Sequence, residues 1–491
     1  MLTRSRTRFH RTYDECEDQS RPDQHAPTTV STVSGDIRRL LHFIAFSMHN
    51  CIPVMVQQVL LHNDLFHPPA DKPHAWHSGL GQLAIFPPDV LQLILSKAGG
   101  RKVRILSSGL KRLFDEANTT LSVGRSDLWE MDGRALPSNV GQLIGKVIME
   151  SKALESIRVT SRYSRHVLDL APSLASLTCL HTLDLSSNSI GLDSSKMVSS
   201  LAALTGLHTL DLSSNGFGPV GAKSLAKILM ALKGLCALSL SENAFQPTGI
   251  SSLAASLKLL TRLQSLDLSC NDIGPNGAKA LAPSLKMLTG LRTLDLSIND
   301  LESVGFSALA PALNALTGLQ MLDLSNNCQD TSGIKSLAVS LTAMTGLNSL
   351  DLSSNRLGLD GATSLAPSLL VLTMLRTLNL SLNMLEPAGA AVLAPSLLTL
   401  TGLHTLNLSY YDLGPDGERS LVPTLNALTG LHTLDLSSNY IGSSGMPLLT
   451  PSLMALPSLR RLELTANRLG SADVALLTSS LTCLTVFRYS Y

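Results

Sequence analysis

Acidic residues recur in the chain at steps of 27 or 28 positions, or at multiples of 28. The series comprises Asp184, Asp211, Asp267, Asp295, Asp323, Asp351, Asp435 and Glu463, here called the acidic column. Ser239, Asn379 and Asn407 take the same place without a charge. If these residues lie at the same place on adjacent β-strands, their carboxylates are stacked and repel one another. A basic partner would then relieve the repulsion and bind in a salt-dependent way. The alternative is that the acid is only a framework residue.

Histidines lie three residues before the column position in four repeats: His181, His208, His404 and His432. Two such residues on adjacent strands, ~4.8 Å apart, could bind a metal ion. A repeated framework residue is the favoured interpretation. The sequence contains no Gly-rich phosphate loop, no Cys-x-x-Cys pair and no His-Glu-x-x-His motif. We therefore predict no metal, no cofactor and no enzymatic activity.

A frame of Leu-x-x-Leu-x-Leu-x-x-Asn surrounds these positions and occurs eleven times, with its first leucine between Leu180 and Leu459. Its first half alternates apolar and polar residues, which is typical of a short half-buried strand. The second half of each repeat, such as residues 277–288, has leucines at helical spacing. The sequence thus predicts a chain of strand–helix units, and this repetition explains an aromatic content of only 4%.

These motifs resemble the leucine-rich repeat family in its ribonuclease-inhibitor-like form. The Gly-Ala-x-x-Leu-Ala motif at Gly221, Gly277 and Gly361 is similar to the GALA type of bacterial effectors. The resemblance implies an α/β solenoid, a horseshoe with a parallel β-sheet on the concave face and helices on the convex face. It also implies a ladder of asparagines that satisfies loop backbone groups. Tyr411 replaces the ladder Asn in repeat nine, and Gln329 departs from the frame in repeat six.

Local signals also predict how each helix begins and where it is interrupted. Side chains of N-cap type precede the helical half in six repeats: Thr248, Asn276, Ser332, Asp360, Asp416 and Ser444. A proline follows seven residues after the corresponding position at Pro283, Pro311, Pro367, Pro395, Pro423 and Pro451. Because proline removes a helical hydrogen bond and crowds the preceding turn, we expect kinked or split helices.

Residues that break the repeat consensus are candidates for partner contact. Ile298, Leu382 and Tyr410 occupy a position that is usually small or polar, and Tyr411 follows Tyr410 directly. Exposed aliphatic and tyrosine side chains grouped together suit a protein-contact hot spot. Drift among redundant repeats is the alternative interpretation.

The region before residue 180 divides by composition. Residues 1–34 are polar and predicted to be disordered. Residues 35–79 contain an apolar helical segment and a Pro- and His-rich linker; polar residues within Leu40 to Leu61 argue against a membrane span. Residues 125–179 fit the frame loosely and are predicted to be degenerate capping repeats, while 180–491 form the repeat domain with a terminal cap.

Residues 80–124 form a predicted helical module that resembles an F-box. Pro87, Val90, Leu91, Ile94 and Leu95 match the family's first helix, and Val103 and Leu106 match the second. Ala98, Gly109 and Leu113 depart from the family pattern. The resemblance implies that this module docks a Skp-type adaptor of a cullin-RING ubiquitin ligase, with the repeats holding the substrate. A helical cap for the solenoid is the alternative.

The sequence as a whole favours a non-enzymatic interaction protein. The formal net charge is +1, and residues 127–491 carry 23 basic and 26 acidic residues, which disfavours nucleic-acid binding. We predict a protein ligand on the concave face, of basic character, no membrane or nucleic-acid partner, and a cytoplasmic location with the nucleus as alternative. The leading hypothesis is an F-box-type substrate receptor. The alternative is an interaction scaffold or intracellular sensor without a ubiquitin-ligase role.

Overall fold

A computed structural model describes residues 120–123, 155–159, 164–328, 332–481 and 484–489. Within them, fourteen strands form one parallel sheet in strict chain order. The strands are β1 Thr120–Val123, β2 Ser156–Val159, β3 Thr182–Asp184, β4 Thr209–Asp211, β5 Ala237–Ser239, β6 Ser265–Asp267, β7 Thr293–Asp295, β8 Met321–Asp323, β9 Ser349–Asp351, β10 Thr377–Asn379, β11 Thr405–Asn407, β12 Thr433–Asp435, β13 Arg461–Leu464 and β14 Val486–Tyr489. The predicted α/β leucine-rich-repeat solenoid is confirmed.

One helical segment follows each strand from β2 to β13. The α-helices are α1 Ser164–Leu174, α2 Val198–Ala202, α3 Gly218–Ala231, α4 Gln246–Leu257, α5 Gly274–Leu285, α6 Glu302–Leu313, α7 Ser332–Leu341, α8 Gly358–Leu369, α9 Glu386–Leu397, α10 Gly414–Ala427, α11 Gly442–Met454 and α12 Ser471–Ser480. A 3₁₀ helix, Gly191–Met197, precedes α2.

The core lies between the sheet and the helices and consists mainly of leucine. In β7, Leu294 is buried and its neighbours Thr293 and Asp295 are half-buried, so alternate residues face core and solvent. Leu294 pairs with Leu266 and Leu322, which places leucine beside leucine along the sheet. Parallel strands lie ~4.8 Å apart but packed helices need ~8–10 Å, so the helices take the outer side of a curve and the sheet the inner.

The asparagine ladder runs through the loops that follow the strands. Asn299 is buried; its Oδ1 accepts hydrogen bonds from the backbone amides of Asn271 (2.9 Å) and Ile273 (3.4 Å) in the preceding repeat. Its Nδ2 donates to the carbonyls of Leu268 (2.9 Å) and Leu296 (3.0 Å). Each bond contributes about 1 kcal/mol net, but an unmade buried one costs more. The ladder therefore joins repeats through side chains where the backbones cannot pair.

The ladder also caps the helices, and this corrects the prediction of local N-caps. The residues at the N-cap of α4, α5, α8 and α11 are Phe245, Ile273, Leu357 and Ile441, and none makes a side-chain capping bond. At α5 the amide of Gly274 donates to the backbone carbonyl of Asn299 at 2.9 Å. The next repeat thus provides the acceptor, and the helix begins about one turn earlier than its own sequence signals.

The prediction that proline splits the helices was wrong. Pro283, Pro311, Pro367, Pro395, Pro423 and Pro451 each lie inside one continuous helix. Because the helices begin early, Pro283 is near the end of α5 and on its exposed side, where water can satisfy the freed carbonyl. Ser284 beside it donates its hydroxyl to the carbonyl of Ala254 in α4 at 2.6 Å, which links neighbouring helices.

Both ends of the sheet are built from residues outside the eleven regular repeats. Ile157 and Val159 of β2 are buried, as the frame predicts. The neighbour of β2 is β1, whose Thr120 pairs with Ser156, so the sheet reaches into the last residues of segment 80–124. At the other end β14 brings Phe487 beside Tyr489, with ring centroids 5.2 Å apart.

Repeat nine has two buried polar residues, Tyr411 and Glu418, at positions where most other repeats have the ladder asparagine and an apolar residue. Tyr411, at the ladder position, is 1% exposed, and its hydroxyl has no hydrogen-bond partner within the described residues. Its backbone keeps the ladder's course, because its amide donates to Asn439 Oδ1 at 2.9 Å. Glu418 stands where the Gly-Ala motif has alanine; it is fully buried in α10, and neither carboxylate oxygen has a partner within that same part of the chain.

Several sequence predictions concern residues outside the described ranges. These are the tail 1–34, the segment 35–79, most of segment 80–124, residues 125–154 of the predicted capping repeats, and Gln329. The F-box-like residues Pro87, Val90, Leu91, Ile94, Leu95, Val103 and Leu106 fall among them. Their assignments stay predictions.

Glu418 predicts a specific loss of stability with rising pH. Burial raises the pKa of its carboxyl from 4.5 to about 8, so between these values the folded chain retains a proton that the unfolded chain has released. The free energy of unfolding should therefore fall from pH 4.5 to pH 8, with roughly 3 kcal/mol lost by pH 7. Glu418→Gln should remove that portion of the pH dependence, measured by urea unfolding at pH 5, 7 and 8.5. Parallel pH profiles for the two proteins would refute the assignment.

Candidate protein-binding face

The side of the sheet that faces away from the helices is here called the inner face. It presents the acidic column at or near the carboxyl ends of eight strands, β3, β4, β6 to β9, β12 and β13. In most repeats one carboxylate oxygen is used within its own loop. Asp323 Oδ1 accepts the amide of Ser325 at 2.9 Å and its hydroxyl at 2.7 Å. Asp295 is held in the same way by Ser297. The framework interpretation is therefore correct for one oxygen, and the other oxygen is left for a neighbour or a ligand.

The two ends of the acidic column are neutralised by arginines. Arg158 in β2 forms a salt bridge with Asp184 at 2.5 Å. At the other end Arg461 lies 2.9 Å from Glu463, and Arg488 lies 3.8 Å from the same carboxylate. These arginines come from the end strands, so the charge compensation is confined to the edges of the sheet.

Hydrogen bonds from neutral residues reach two further members of the column. Ser239 donates its hydroxyl to Asp267 at 3.0 Å, and Asn379 donates its amide to Asp351 at 2.7 Å. Asp295 and Asp323 lie between these pairs on β7 and β8. Within the described ranges neither forms a salt bridge or accepts a hydrogen bond from a neighbouring strand. Asp211 and Asp435 are in the same position, so the part of the column without neutralisation includes the central strands.

The surroundings of Asp295 and Asp323 raise the pKa values of both carboxyl groups. Partial burial, followed by the repulsion of Asp351 and Asp295, raises the pKa of Asp323 from 3.8 to about 6 despite its bonds to Ser325. Burial and the charges of Asp267 and Asp351 raise the pKa of Asp295 as well. A positive charge above these strands would therefore be stabilised, and it would lower both pKa values.

A second feature, here called the rim, consists of the eighth and tenth residues of each repeat, in the loops that leave the strands. The ladder holds the eighth residue at positive φ in every repeat, from Ser187 to Ala466. Ile298, Leu382 and Tyr410 share this conformation and are 51%, 46% and 53% exposed. Leu382 and Tyr410 lie in neighbouring repeats, while Ile298 lies three repeats before Leu382 in the acidic part of the face.

Tyr411 is a correction to the predicted contact surface. The tyrosine side chain points into the core rather than to the rim, because it occupies the ladder position, which always faces inward. It therefore cannot contact a partner on the surface of the folded chain.

Sequence reasoning missed two residues of the same surface. Met384 and Tyr440 occupy the tenth position of repeats eight and ten and are 56% and 52% exposed. The guanidinium carbon of Arg468 lies 4.8 Å from the centre of the Tyr440 ring, a cation–π contact. The signal was present in the sequence, since the tenth position is small or charged in most other repeats and apolar in these.

The histidines pair across strands as their spacing suggested. Ring centroids are 5.0 Å apart for His181 and His208, and 4.8 Å for His404 and His432. No group of three or more metal-ligating side chains is found in the described part of the chain. Nor does any helix there combine the length and apolar character needed to cross a membrane.

The sequence profile of the leucine-rich repeat matches six segments: 176–194, 204–226, 260–282, 344–366, 371–394 and 428–447. Together with the strand–helix units, these matches show leucine-rich repeats in these parts of the chain. Proteins with such repeats typically act as interaction scaffolds without enzymatic activity. A search of curated proteins finds no matching sequence.

Solved structures similar to the chain include two bacterial proteins. An internalin from Listeria monocytogenes is 22% identical with a TM-score of 0.44, and the match covers 72% of this chain and 94% of the internalin. A leucine-rich repeat protein from Leptospira interrogans is 18% identical with a TM-score of 0.42, covering 78% and 98%. A chain of the TLR13–ssRNA13 complex is 22% identical with a TM-score of 0.39, and the match covers 74% of this chain and 57% of that one.

The acidity of Asp323 provides a direct measurement of the inner face. In the protein labelled with ¹³C-aspartate, the Asp323 carboxyl should titrate near pH 6, because burial and its neighbours disfavour the charge. Asp323→Asn identifies the resonance and should stabilise the fold increasingly as pH rises through 6. Asn379 already fills this position in repeat eight and bonds Ser381 in the same manner. Titration at the ordinary value of 3.8 would contradict this description.

Proposed function

We propose that the chain is a non-enzymatic receptor whose inner face binds a protein ligand of basic character. The observation that carries the proposal is the pair Asp295 and Asp323, which lies at the centre of the sheet with raised pKa values and without a salt bridge inside the described ranges. The fold tolerates neutral residues there, as Asn379 and Asn407 demonstrate. Carboxylates are therefore not required by the repeat at these strands, and a cationic ligand accounts for them.

The energetics suit a partner that brings cations. Surface charge pairs contribute little in water, but partly buried carboxylates that already repel one another gain more from a nearby ammonium or guanidinium group. Such complementarity chiefly increases the association rate and the specificity, and it weakens as salt is added. The proposed ligand is thus a protein surface or segment rich in lysine or arginine.

The double variant Asp295→Asn/Asp323→Asn tests this role with minimal change in shape. The full-length protein is used to capture partners, which are identified by mass spectrometry, and their affinities are measured at two salt concentrations. We expect specific partners to be lost and the salt dependence to decrease, because two charges are removed from the inner face.

The matched control is Asp360→Asn/Asp416→Asn, which removes the same charge from exposed first turns of α8 and α10. It should leave capture unchanged. Equal capture by wild type and both variants would reject the inner face as the binding surface.

A finer proposal concerns residues 80–124, which lie almost entirely outside the described ranges. We propose that this module docks a Skp-type adaptor, which would make the chain a substrate receptor of a cullin-RING ubiquitin ligase. The support is the sequence pattern at Pro87, Leu91 and Ile94 and the position of the module directly before the repeats. A scaffold without this role is the alternative.

Substitution by aspartate at the predicted adaptor-facing positions distinguishes the substrate receptor from the scaffold. Leu91→Asp or Ile94→Asp should abolish adaptor pull-down, because each places a charge in an apolar contact. Gln92→Asp is the matched control, since its site is already polar, and it should bind normally. Circular dichroism should show the solenoid intact in all three. Adaptor binding by Leu91→Asp and Ile94→Asp at the wild-type level would remove this proposal.

A further inference from the structure

Four apolar side chains stand exposed on the rim of repeats eight to ten: Leu382, Met384, Tyr410 and Tyr440. All four have positive φ, between 51° and 57°. This backbone conformation disfavours bulky residues, and the fold does not need them, because Ser438 adopts it at the eighth position and Ser189 at the tenth. Residues that neither pack the core nor suit their backbone indicate a surface retained for contact. This set is called the apolar rim.

The strands beside the apolar rim are those where the acidic column is neutral. Asn379 and Asn407 replace the acid on β10 and β11, the strands that lead into Leu382 and Tyr410. An apolar group could therefore pack on these two strands without burying a carboxylate of the acidic column, which would be costly. The inner face is thus divided into an acidic stretch on β6 to β9 and a stretch on β10 and β11 that carries no column acid. The rim beside this second stretch is apolar apart from Asp412, the exposed tenth residue of repeat nine.

The two stretches are close enough for one short segment to contact both. Asp295 and Asp323 lie two to four strands from Leu382 and Tyr410, which at ~4.8 Å per strand and three residues along the chain gives about 14–22 Å. An extended peptide advances ~3.3 Å per residue, so about four to seven residues span this distance. The acidic strands call for a cationic part of the bound segment, and the apolar rim calls for an apolar part.

We infer that the inner face binds an extended, two-part segment of its partner. An aliphatic or aromatic anchor packs on the apolar rim at Leu382 and Tyr410, and lysine or arginine side chains about four to seven residues away lie over Asp295 and Asp323. The inference rests on the proposed function and adds to it the chemistry and spacing of the bound segment.

Synthetic fluorescent peptides test the spacing with the full-length protein. The probe carries a Trp-Leu anchor, a five-residue Gly-Ser spacer and three arginines, prepared in both chain directions. Three comparison peptides lack the anchor, the arginines or the spacer. One direction of the probe should bind at least about tenfold more tightly than each comparison peptide in fluorescence anisotropy. Equal binding of the spacer-free peptide, or no binding by any peptide, would overturn the inference.

Variants of the protein separate the two contacts. Leu382→Ser/Tyr410→Ser copies the residues of repeats seven and ten; it should weaken probe binding about tenfold or more and leave the salt dependence unchanged. Asp295→Asn/Asp323→Asn should instead reduce the salt dependence. Leu370→Ser/Leu398→Ser removes two exposed leucines at the ends of α8 and α9 and serves as the matched control, without effect.

The outcomes distinguish this inference from the proposed function. If captured partners depend on Asp295 and Asp323 but bind Leu382→Ser/Tyr410→Ser normally, the acidic receptor stands and the two-part segment is wrong. If neither double variant affects capture, the proposed function itself fails. Loss of binding in both, each with its own salt response, supports the two-part segment.

Discussion

The asparagine ladder is the interaction on which the rest of the structure depends. Each strand has only three or four residues, so the turns that follow cannot complete their hydrogen bonds within one repeat. A buried amide such as that of Asn299 supplies donors and acceptors to two repeats at once. This requirement sets the register of the sheet, begins α3 to α6 and α8 to α11 through a carbonyl of the next repeat, and holds the eighth residue at positive φ.

The same constraint divides the surface into residues that serve the fold and residues that are free to vary. One oxygen of Asp323 is committed to the loop through Ser325, while its carboxylate forms no salt bridge within the described ranges. Arginines at the two ends of the sheet neutralise Asp184 and Glu463, so the central strands retain the negative potential. The inner face is consequently polarised by position along the solenoid, although the net charge of the chain is +1.

Repeat nine departs furthest from the repeat consensus, yet it stacks on its neighbours as the other repeats do. The Tyr411 backbone keeps its bond to Asn439, so the stack continues although the amide ladder loses one side chain. Glu418 places an uncompensated carboxyl in the core, against Gly445 of the next helix. Repeats on either side stabilise both residues through nearest-neighbour packing, as expected of a solenoid. This repeat also contributes Tyr410 to the apolar rim, so the least regular unit is part of the most distinctive surface.

The sequence by itself determined the repeat, the alternation of strand and helix, the leucine positions and the column of acids, because each follows from a residue type at a fixed 27- or 28-residue step. Its resemblance to leucine-rich repeats implied the parallel sheet and the asparagine ladder. It gave the wrong start for helices such as α5 and predicted a split at Pro283, since the acceptor for Gly274 comes from Asn299, a residue of the next repeat. Only the tertiary structure placed Tyr411 in the core, brought Met384 and Tyr440 to the rim, and showed which acids lack a salt bridge in the described chain. Periodicity specifies which residues occupy equivalent places, whereas burial and charge pairing depend on neighbours that only the stacked repeats bring together.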